Sequence, residues 1–130
     1  MTYLLDTHVW LWMVATPDRI TPEARAIIED GDTRLLLSAA SSWEIAIKYA
    51  IGRLELPDDP ADYVPDRMRR TGVEGLAIHH SHALRVATLE HHHRDPFDRV
   101  LVAQAEIENI PIVTADPAFH PYGVEILWAA

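Results

Sequence analysis

Short apolar runs alternate along the chain with longer stretches in which apolar residues recur at roughly helical spacing. The short runs predict five strands: Tyr3–Asp6, Arg34–Ser38, Leu76–Ile78, Ile110–Thr114 and Val124–Trp128. Strands that alternate with helices are typical of an α/β domain whose central sheet is mostly parallel. The pattern therefore predicts this fold class.

Capping residues and prolines mark where the predicted helices begin. Thr7 is predicted to cap a helix that stops near Pro17, and Thr21-Pro22 opens a second helix that ends at Gly31. Further helices are predicted from Trp43 to Gly52, from Asp59-Pro60 to Arg70, from Ser81 to Glu90, and after Asp95-Pro96. The sequence has no repeat, low-complexity segment or linker, so we expect one domain over residues 1–130.

Composition narrows the classes of chemistry. The chain has no cysteine, which excludes disulfides, zinc–thiolate sites and thiol nucleophiles. Its start lacks the features of a signal peptide, and its longest apolar run, Val9–Ala15, is too short to span a bilayer. We therefore expect a cytoplasmic protein without membrane contact. The formal charge of −9 argues against a broadly basic nucleic-acid-binding surface, but it is compatible with a carboxylate site and with a basic partner.

Four acids fall where the predicted strands and helices meet. Asp6 ends the first strand and Asp116 follows the fourth, while Glu44 and Asp98 lie early in the helices after Ser38 and Pro96. In an open parallel sheet, ligands bind beyond the carboxyl ends of the strands. The four carboxylates are therefore expected to converge on one pocket. Carboxylate oxygens without His or Cys ligands favour hard cations such as Mg²⁺ or Mn²⁺.

Each acid also has a local structural explanation. Asp6 is able to cap the first helix, and Asp116 before Pro117 is able to start a turn. Ser41 and Glu44 have the spacing of a capping box. Asp95 and Asp98 compete, and we assign Asp95 to capping because it precedes Pro96, and Asp98 to metal binding.

Four segments carry a family resemblance when they are taken together. LLDTHVWLW, SAASSWEIAIK, HHRDPFDRVLVAQA and IPIVTADPAF resemble, in this order, the successive motifs of PIN domains. They closely resemble the motifs of the VapC toxins of bacterial VapBC toxin–antitoxin pairs. The resemblance runs from Leu4 to Phe119 and is least distinctive between Gly52 and Leu76.

The resemblance implies a three-layer α/β/α PIN fold and RNA hydrolysis that depends on Mg²⁺ or Mn²⁺. It makes Asp6 and Asp98 direct ligands of the main ion, with Asp116 binding directly or through water. Glu44 would serve a second ion or orient the water. Thr7 and Thr114 would support the acids with hydroxyl groups, although local capping or turn bonding also explains them.

The resemblance further implies three macromolecular partners: a VapB-type antitoxin that occupies the pocket or its rim, an RNA substrate, and a second copy of the chain in a homodimer. Two other functions compete with this one. A haloacid-dehalogenase-type phosphatase needs a second Asp two residues after Asp6, where this chain has His8. A non-catalytic PIN-like module that holds a basic peptide remains the alternative.

For the other polar and aromatic clusters we favour a structural explanation over a functional one. The histidines His79-His80 and His91-His92-His93 are expected in solvated loops rather than in a transition-metal site, although they, Arg94 and Arg99 are candidates for RNA phosphate contacts. Arg67, Arg69 and Arg70 are expected on a solvated helix face, with RNA binding as the alternative. Trp10, Trp12 and Trp43 are expected in the core or a dimer interface.

Overall fold

The computed structural model describes residues 1–92 and 95–130, and a five-stranded sheet lies at its centre. The strands are β1 (Thr2–Leu5), β2 (Arg34–Ser38), β3 (Glu74–Leu76), β4 (Ile112–Thr114) and β5 (Ile126–Trp128). They lie in the order β3-β2-β1-β4-β5, and each neighbouring pair is parallel. The predicted α/β class with a parallel sheet is confirmed.

Helices cover both faces of the sheet. They are α1 (Thr7–Ala15), α2 (Pro22–Ile28), α3 (Ala39–Ala50), α4 (Pro60–Thr71), α5 (His80–Arg85) and α6 (Pro96–Glu108). Short 3₁₀ turns cover Pro17–Arg19, Val86–Thr88 and Pro117–Tyr122. Within residues 1–92 and 95–130, no helix is long and apolar enough to cross a bilayer.

Residues that alternate along β1 divide the core into two clusters. Tyr3 and Leu5 belong to a cluster that contains Trp10 of α1, whereas Leu4 belongs to a second cluster with Leu101 of α6 and Phe119. Successive side chains of a strand point to opposite faces of the sheet, so the two clusters lie on its two sides. This arrangement is the expected three-layer α/β/α architecture.

Several boundaries differ from the sequence-based prediction. The helix predicted from Trp43 begins at Ala39, and β4 and β5 each begin two residues later than predicted. β3 begins two residues earlier than predicted, because Glu74 pairs with Leu36 in the β2 ladder and its carboxylate binds Arg34 at 2.6 Å. The helix predicted from Ser81 to Glu90 divides into α5 and a 3₁₀ turn. Asp6 rather than Thr7 is the N-cap residue of α1.

Arg99 of α6 is buried, and its guanidinium joins several segments. It donates hydrogen bonds to the carbonyl oxygens of Glu90 at 2.9 Å and of Val86 at 3.0 Å, and to the hydroxyl of Tyr122 at 3.2 Å. Five N–H donors in a planar group suit such multiple acceptors. Arg99 therefore fixes the segment before α6 against that helix. The sequence made Arg99 a candidate for contacts with RNA phosphates, but its guanidinium is occupied by these internal hydrogen bonds.

The Arg99→Met substitution tests this structural role. We expect it to lower the free energy of unfolding by about 2–4 kcal/mol, because it removes all of the hydrogen bonds that the buried guanidinium donates to the segment before α6 and to Tyr122. Urea unfolding measures the change. The control is Arg53→Met at an exposed loop position, where the expected change is within about 0.5 kcal/mol. Equal unfolding midpoints for the two variants would contradict the assignment.

Candidate active site

Asp6 lies directly beyond β1 at the carboxyl edge of the sheet. Its amide donates to the carbonyl of Val113 at 2.9 Å, which continues the pairing of β1 with β4. Although Asp6 is the N-cap residue of α1, its side chain makes no capping hydrogen bond within the described residues. Its Oδ2 instead accepts a hydrogen bond from Thr114 Oγ1 at 2.8 Å. Helix capping therefore does not explain the Asp6 carboxylate.

Thr114 connects two of the predicted acids at the ends of neighbouring strands. Its hydroxyl donates to Asp6 and accepts a hydrogen bond from the Asp116 amide at 3.0 Å. The predicted support of an acid by the Thr114 hydroxyl is thus present. Asp116 is partly buried, and its Oδ1 accepts from Ala118 N at 2.9 Å, so it also starts the 3₁₀ turn Pro117–Tyr122.

Glu44 does not form the capping box that its spacing from Ser41 predicted. Ser38 is the N-cap of α3, and its hydroxyl accepts from Ala40 N at 3.0 Å. Ser41 lies inside the helix and accepts a hydrogen bond from Thr7 Oγ1 at 2.8 Å. The Thr7 hydroxyl thus ties the start of α1 to the start of α3 and does not contact an acid.

The Glu44 carboxylate is buried, with 2% of the residue exposed. Its Oε2 accepts a hydrogen bond from Lys48 Nζ at 2.5 Å, whereas its Oε1 has no hydrogen-bond partner in the part of the chain that the structure describes. Buried polar atoms without partners are rare in folded proteins, and such an atom points to a position where a ligand, water or ion binds.

The predicted capping role of Asp95 is confirmed. Asp95 caps α6, because its Oδ1 accepts from Phe97 N at 2.9 Å and from Asp98 N at 3.2 Å. Asp98 lies in the first turn and is 9% exposed. Burial, followed by the charges of Asp6, Asp95, Glu44 and Asp116, raises the pKa of Asp98 to about 8.

The structure brings the four predicted acids into one electrostatic unit, since Asp6, Glu44 and Asp116 all act on Asp98. Burial also raises the pKa of Asp6, against the lowering effect of the Thr114 hydrogen bond. In residues 1–92 and 95–130, no three His, Asp or Glu side chains form a ready-made metal-binding group. The set nevertheless consists of carboxylate oxygens, one of them buried without a partner, and these are donors that fit a hard divalent cation.

Lys48 is a residue of this site that sequence reasoning missed. It lies one turn after Glu44 on α3, and the spacing of four residues between an acid and a base on a helix was the available signal. Burial alone lowers the pKa of Lys48. The hydrogen bond and charge of Glu44, together with the charges of Asp95 and Asp98, outweigh burial and raise this pKa overall.

The predictions for the basic side chains outside the acid pocket hold in part. Arg67, Arg69 and Arg70 all form ion pairs with Asp66, but only Arg69 and Arg70 are exposed, and the Arg67 guanidinium lies 4.6 Å from the ring centre of Tyr63. The described histidines of the two runs are exposed, but the first run is not a loop, because His79 is the N-cap residue of α5 and His80 begins that helix. His93 and Arg94 lie outside the described residues.

The three tryptophans have different surroundings. Trp10 is fully buried in the core, as predicted. Trp12 is partly buried, with the Arg19 guanidinium 4.7 Å from its ring centre. Trp43 is 56% exposed and makes an edge contact with Phe97, with 5.0 Å between the ring centres, so it is not a core residue.

The chain is an α/β/α domain with a parallel central sheet and a group of carboxylates beyond the carboxyl ends of its strands. These features define the class of protein to which it belongs. The family model described as PIN domain matches residues 3–124. The chain belongs to the PIN domain family.

One curated relative is similar to about half of the chain. Over 60 residues, the chain is 55% identical to "Ribonuclease VapC16" from Mycobacterium tuberculosis (strain ATCC 25618 / H37Rv). This match covers 46% of the chain and 43% of that protein, so less than half of the relative's length is matched.

Solved structures share the fold at low sequence identity. A chain of VapBC2 from Rickettsia felis, bound to a DNA fragment from their promoter, has a TM-score of 0.74 and 14% identity, with all of both chains covered. A chain of VapBC-1 from nontypeable Haemophilus influenzae has a TM-score of 0.66 and 20% identity, with 98% and 97% covered. For FitAcB from Neisseria gonorrhoeae the TM-score is 0.63 and the identity 20%, with 96% of each chain covered. These likenesses show the fold.

The raised pKa of Asp98 predicts how stability depends on pH in EDTA. The folded protein keeps the Asp98 proton up to about pH 8, whereas the unfolded chain releases it near its ordinary value of 3.8. The folded state therefore binds the extra proton between these values, and stability falls as pH rises through this window. We expect a lower urea midpoint at about pH 8 than at about pH 5.

Two variants test whether Asp98 is the cause of this pH dependence of stability. Asp98→Asn removes the titrating group and should flatten the profile, because the amide stays neutral at every pH in the window. Asp32→Asn, at an exposed position, should retain the wild-type profile. An Asp98→Asn protein whose midpoint falls with pH as steeply as that of the wild type would contradict the prediction.

Proposed function

We propose that this chain is a toxin endoribonuclease that hydrolyses RNA phosphodiester bonds with Mg²⁺ or Mn²⁺ bound by its four carboxylates. The observation that carries the proposal is Asp98, whose pKa is raised to about 8 by burial and by the surrounding acids. A carboxyl group in such a pocket keeps its proton when no cation is bound, and a bound divalent cation would replace that proton and stabilise the charged carboxylates together. The resemblance to a protein named as a ribonuclease supports the same activity.

In this proposal, Asp6 and Asp98 are the direct ligands of the main ion. Asp116 binds directly or through water, and Glu44 serves a second ion or orients the attacking water. Two observations support a hard divalent cation: all of these donors are carboxylate oxygens, and the buried Oε1 of Glu44 has no hydrogen-bond partner among the described residues. When bound, the ion supplies positive charge against the charge that develops on the phosphodiester.

The chain's own side chains orient the carboxylates for this task. The Thr114 hydroxyl holds Asp6 Oδ2, so this carboxylate is oriented from the side of β4. Asp95 caps α6 and thereby fixes the turn that carries Asp98. Such outer hydrogen bonds orient ligands and tune their affinity for a metal.

We also propose a VapB-type antitoxin as the partner, a homodimer as the assembly, one PIN domain over residues 1–130, and the cytoplasm as the place of action. Several structural neighbours come from complexes named VapBC or FitAcB, which supports the antitoxin. The negative pocket suits a basic segment of such a partner, and the exposed Trp43 beside Phe97 offers apolar contact area.

Cleavage of total RNA by purified protein with Mg²⁺, Mn²⁺ or EDTA tests the proposed activity. We expect cleavage with either metal and none in EDTA. Asp6→Asn and Asp98→Asn should each reduce the rate by about a hundredfold or more, since each removes a ligand charge from the metal site. Asp32→Asn, at an exposed position, is the matched control and should cut at the wild-type rate.

Two results would contradict the proposal. An Asp6→Asn protein that cuts at the wild-type rate would show that the assigned site is wrong. Folded protein that binds a partner but cleaves no RNA with either metal would favour the non-catalytic binding module instead. Mapped cleavage ends would identify the RNA target in the positive case.

Thr114→Val tests the proposed orientation of Asp6 by the hydroxyl group. Valine has nearly the same shape but no hydroxyl group, so the hydrogen bond to Asp6 is lost together with the acceptor of the Asp116 amide. We expect Mn²⁺ affinity to fall by about 10- to 100-fold. Isothermal titration calorimetry measures the affinity. Thr33→Val, at a partly buried position before β2, is the control, and an unchanged affinity in Thr114→Val would count against the proposed role.

A further inference from the structure

Lys48 is the single lysine of the chain. The chain has 11 Lys and Arg residues in total, and the other ten are arginines. This one lysine lies at the acid pocket, with its Nζ 2.5 Å from Glu44 Oε2. The charges of Asp95 and Asp98 act on it as well. A lone ammonium group thus stands among the carboxylates on which the proposed function depends.

Glu44 and Lys48 differ in how far they reach into solvent. The Glu44 side chain is almost fully buried, whereas 37% of the Lys48 side chain is exposed. A buried carboxylate without a cation is strongly unfavourable, so Lys48 stabilises Glu44 within the pocket. Because its stem is long and flexible and more than a third of its side chain is exposed, the ammonium group is able to leave Glu44 without a change in the fold.

We propose that Lys48 is the internal counter-cation of the acid pocket and competes with a divalent ion for the Glu44 carboxylate. Lys48 is therefore a positioning residue that sets the metal affinity of the site. The proposal rests on the proposed metal-dependent function. Its physical basis is that an ammonium group at 2.5 Å from Oε2 repels a second cation at the same carboxylate.

The competition has opposite effects on the two states of the protein. Without metal, Lys48 offsets the mutual repulsion of the acids and stabilises the fold. With metal, the same charge opposes the ion. Linkage requires that a group which stabilises only the metal-free state weakens metal binding, so removing Lys48 should strengthen it. A merely structural role for Lys48 predicts the reverse, because a displaced Glu44 would bind metal less well.

Isothermal titration calorimetry with Mn²⁺ on the full chain distinguishes these signs. Lys48→Met keeps the length and apolar stem but removes the charge, and we expect about tenfold tighter Mn²⁺ binding together with a lower urea midpoint in EDTA. Lys48→Arg keeps the charge and should bind Mn²⁺ no more tightly than the wild type. Weaker or unchanged binding by Lys48→Met would overturn the proposal.

A double-mutant cycle with Glu44→Gln assigns the effect to this pair. In the Glu44→Gln background the carboxylate is absent, so Lys48→Met should change Mn²⁺ affinity by less than about twofold. A tenfold effect that persists without the carboxylate would overturn the competition for Glu44. Wild-type protein that binds no Mn²⁺ would contradict the metal-dependent function itself, whereas binding without a Lys48 effect contradicts only this inference.

The single lysine also permits a measurement on the wild-type chain that does not depend on any variant folding. Selective ¹³C,¹⁵N-lysine labelling gives one set of side-chain NMR signals. During a titration with diamagnetic Mg²⁺, we expect the Lys48 Cε and Nζ signals to move in a saturable manner as the ammonium group leaves Glu44. Lys48 signals that stay fixed while backbone signals of the pocket report Mg²⁺ binding would overturn the proposal.

Discussion

Mutual repulsion among buried carboxylates is the constraint on which the rest of the structure depends. In a parallel sheet all strands end at one edge, so Asp6 after β1 and Asp116 after β4 are brought together by topology alone. Helices α3 and α6 add Glu44 and Asp98 to the same electrostatic unit. The cost of this concentration of charge must be offset by the two-sided apolar core and by local hydrogen bonds.

Hydrogen bonds of hydroxyl and backbone groups position the segments that carry these acids. Thr114 holds Asp6 through its hydroxyl, and the Thr7 hydroxyl joins the first turns of α1 and α3 through Ser41. Arg99 follows Asp98 directly, yet its guanidinium binds backbone carbonyls of the segment before α6. These bonds hold the pocket rigid without adding charge to it, which leaves the carboxylates available for a cation.

Features with a local physical cause could be predicted from the sequence. The alternation of strands and helices, the exact span of β2 and the capping of α6 by Asp95 all follow from neighbouring residues. The convergence of the acids also followed, because a parallel sheet has only one carboxyl edge. Features that depend on distant contacts could not be predicted: β3 is placed by its pairing with β2, and the buried bonds of Arg99 require the folded segment before α6.

Glu44 shows most clearly why a local pattern misleads at such a site. Ser41 and Glu44 have capping-box spacing, but β2 ends at Ser38, whose hydroxyl caps α3 one turn earlier. Glu44 is thereby moved from the helix end into the acid pocket.

A lysine as the partner of Glu44 is consistent with the position of Glu44 in the acid pocket. An arginine forks across both oxygens of a carboxylate, whereas an ammonium group binds as a single point charge. Lys48 contacts Oε2 alone, and Oε1 stays without a hydrogen-bond partner among the described residues. A lysine therefore stabilises the buried Glu44 carboxylate through one oxygen only, and an incoming cation is able to approach the other oxygen and displace the ammonium group.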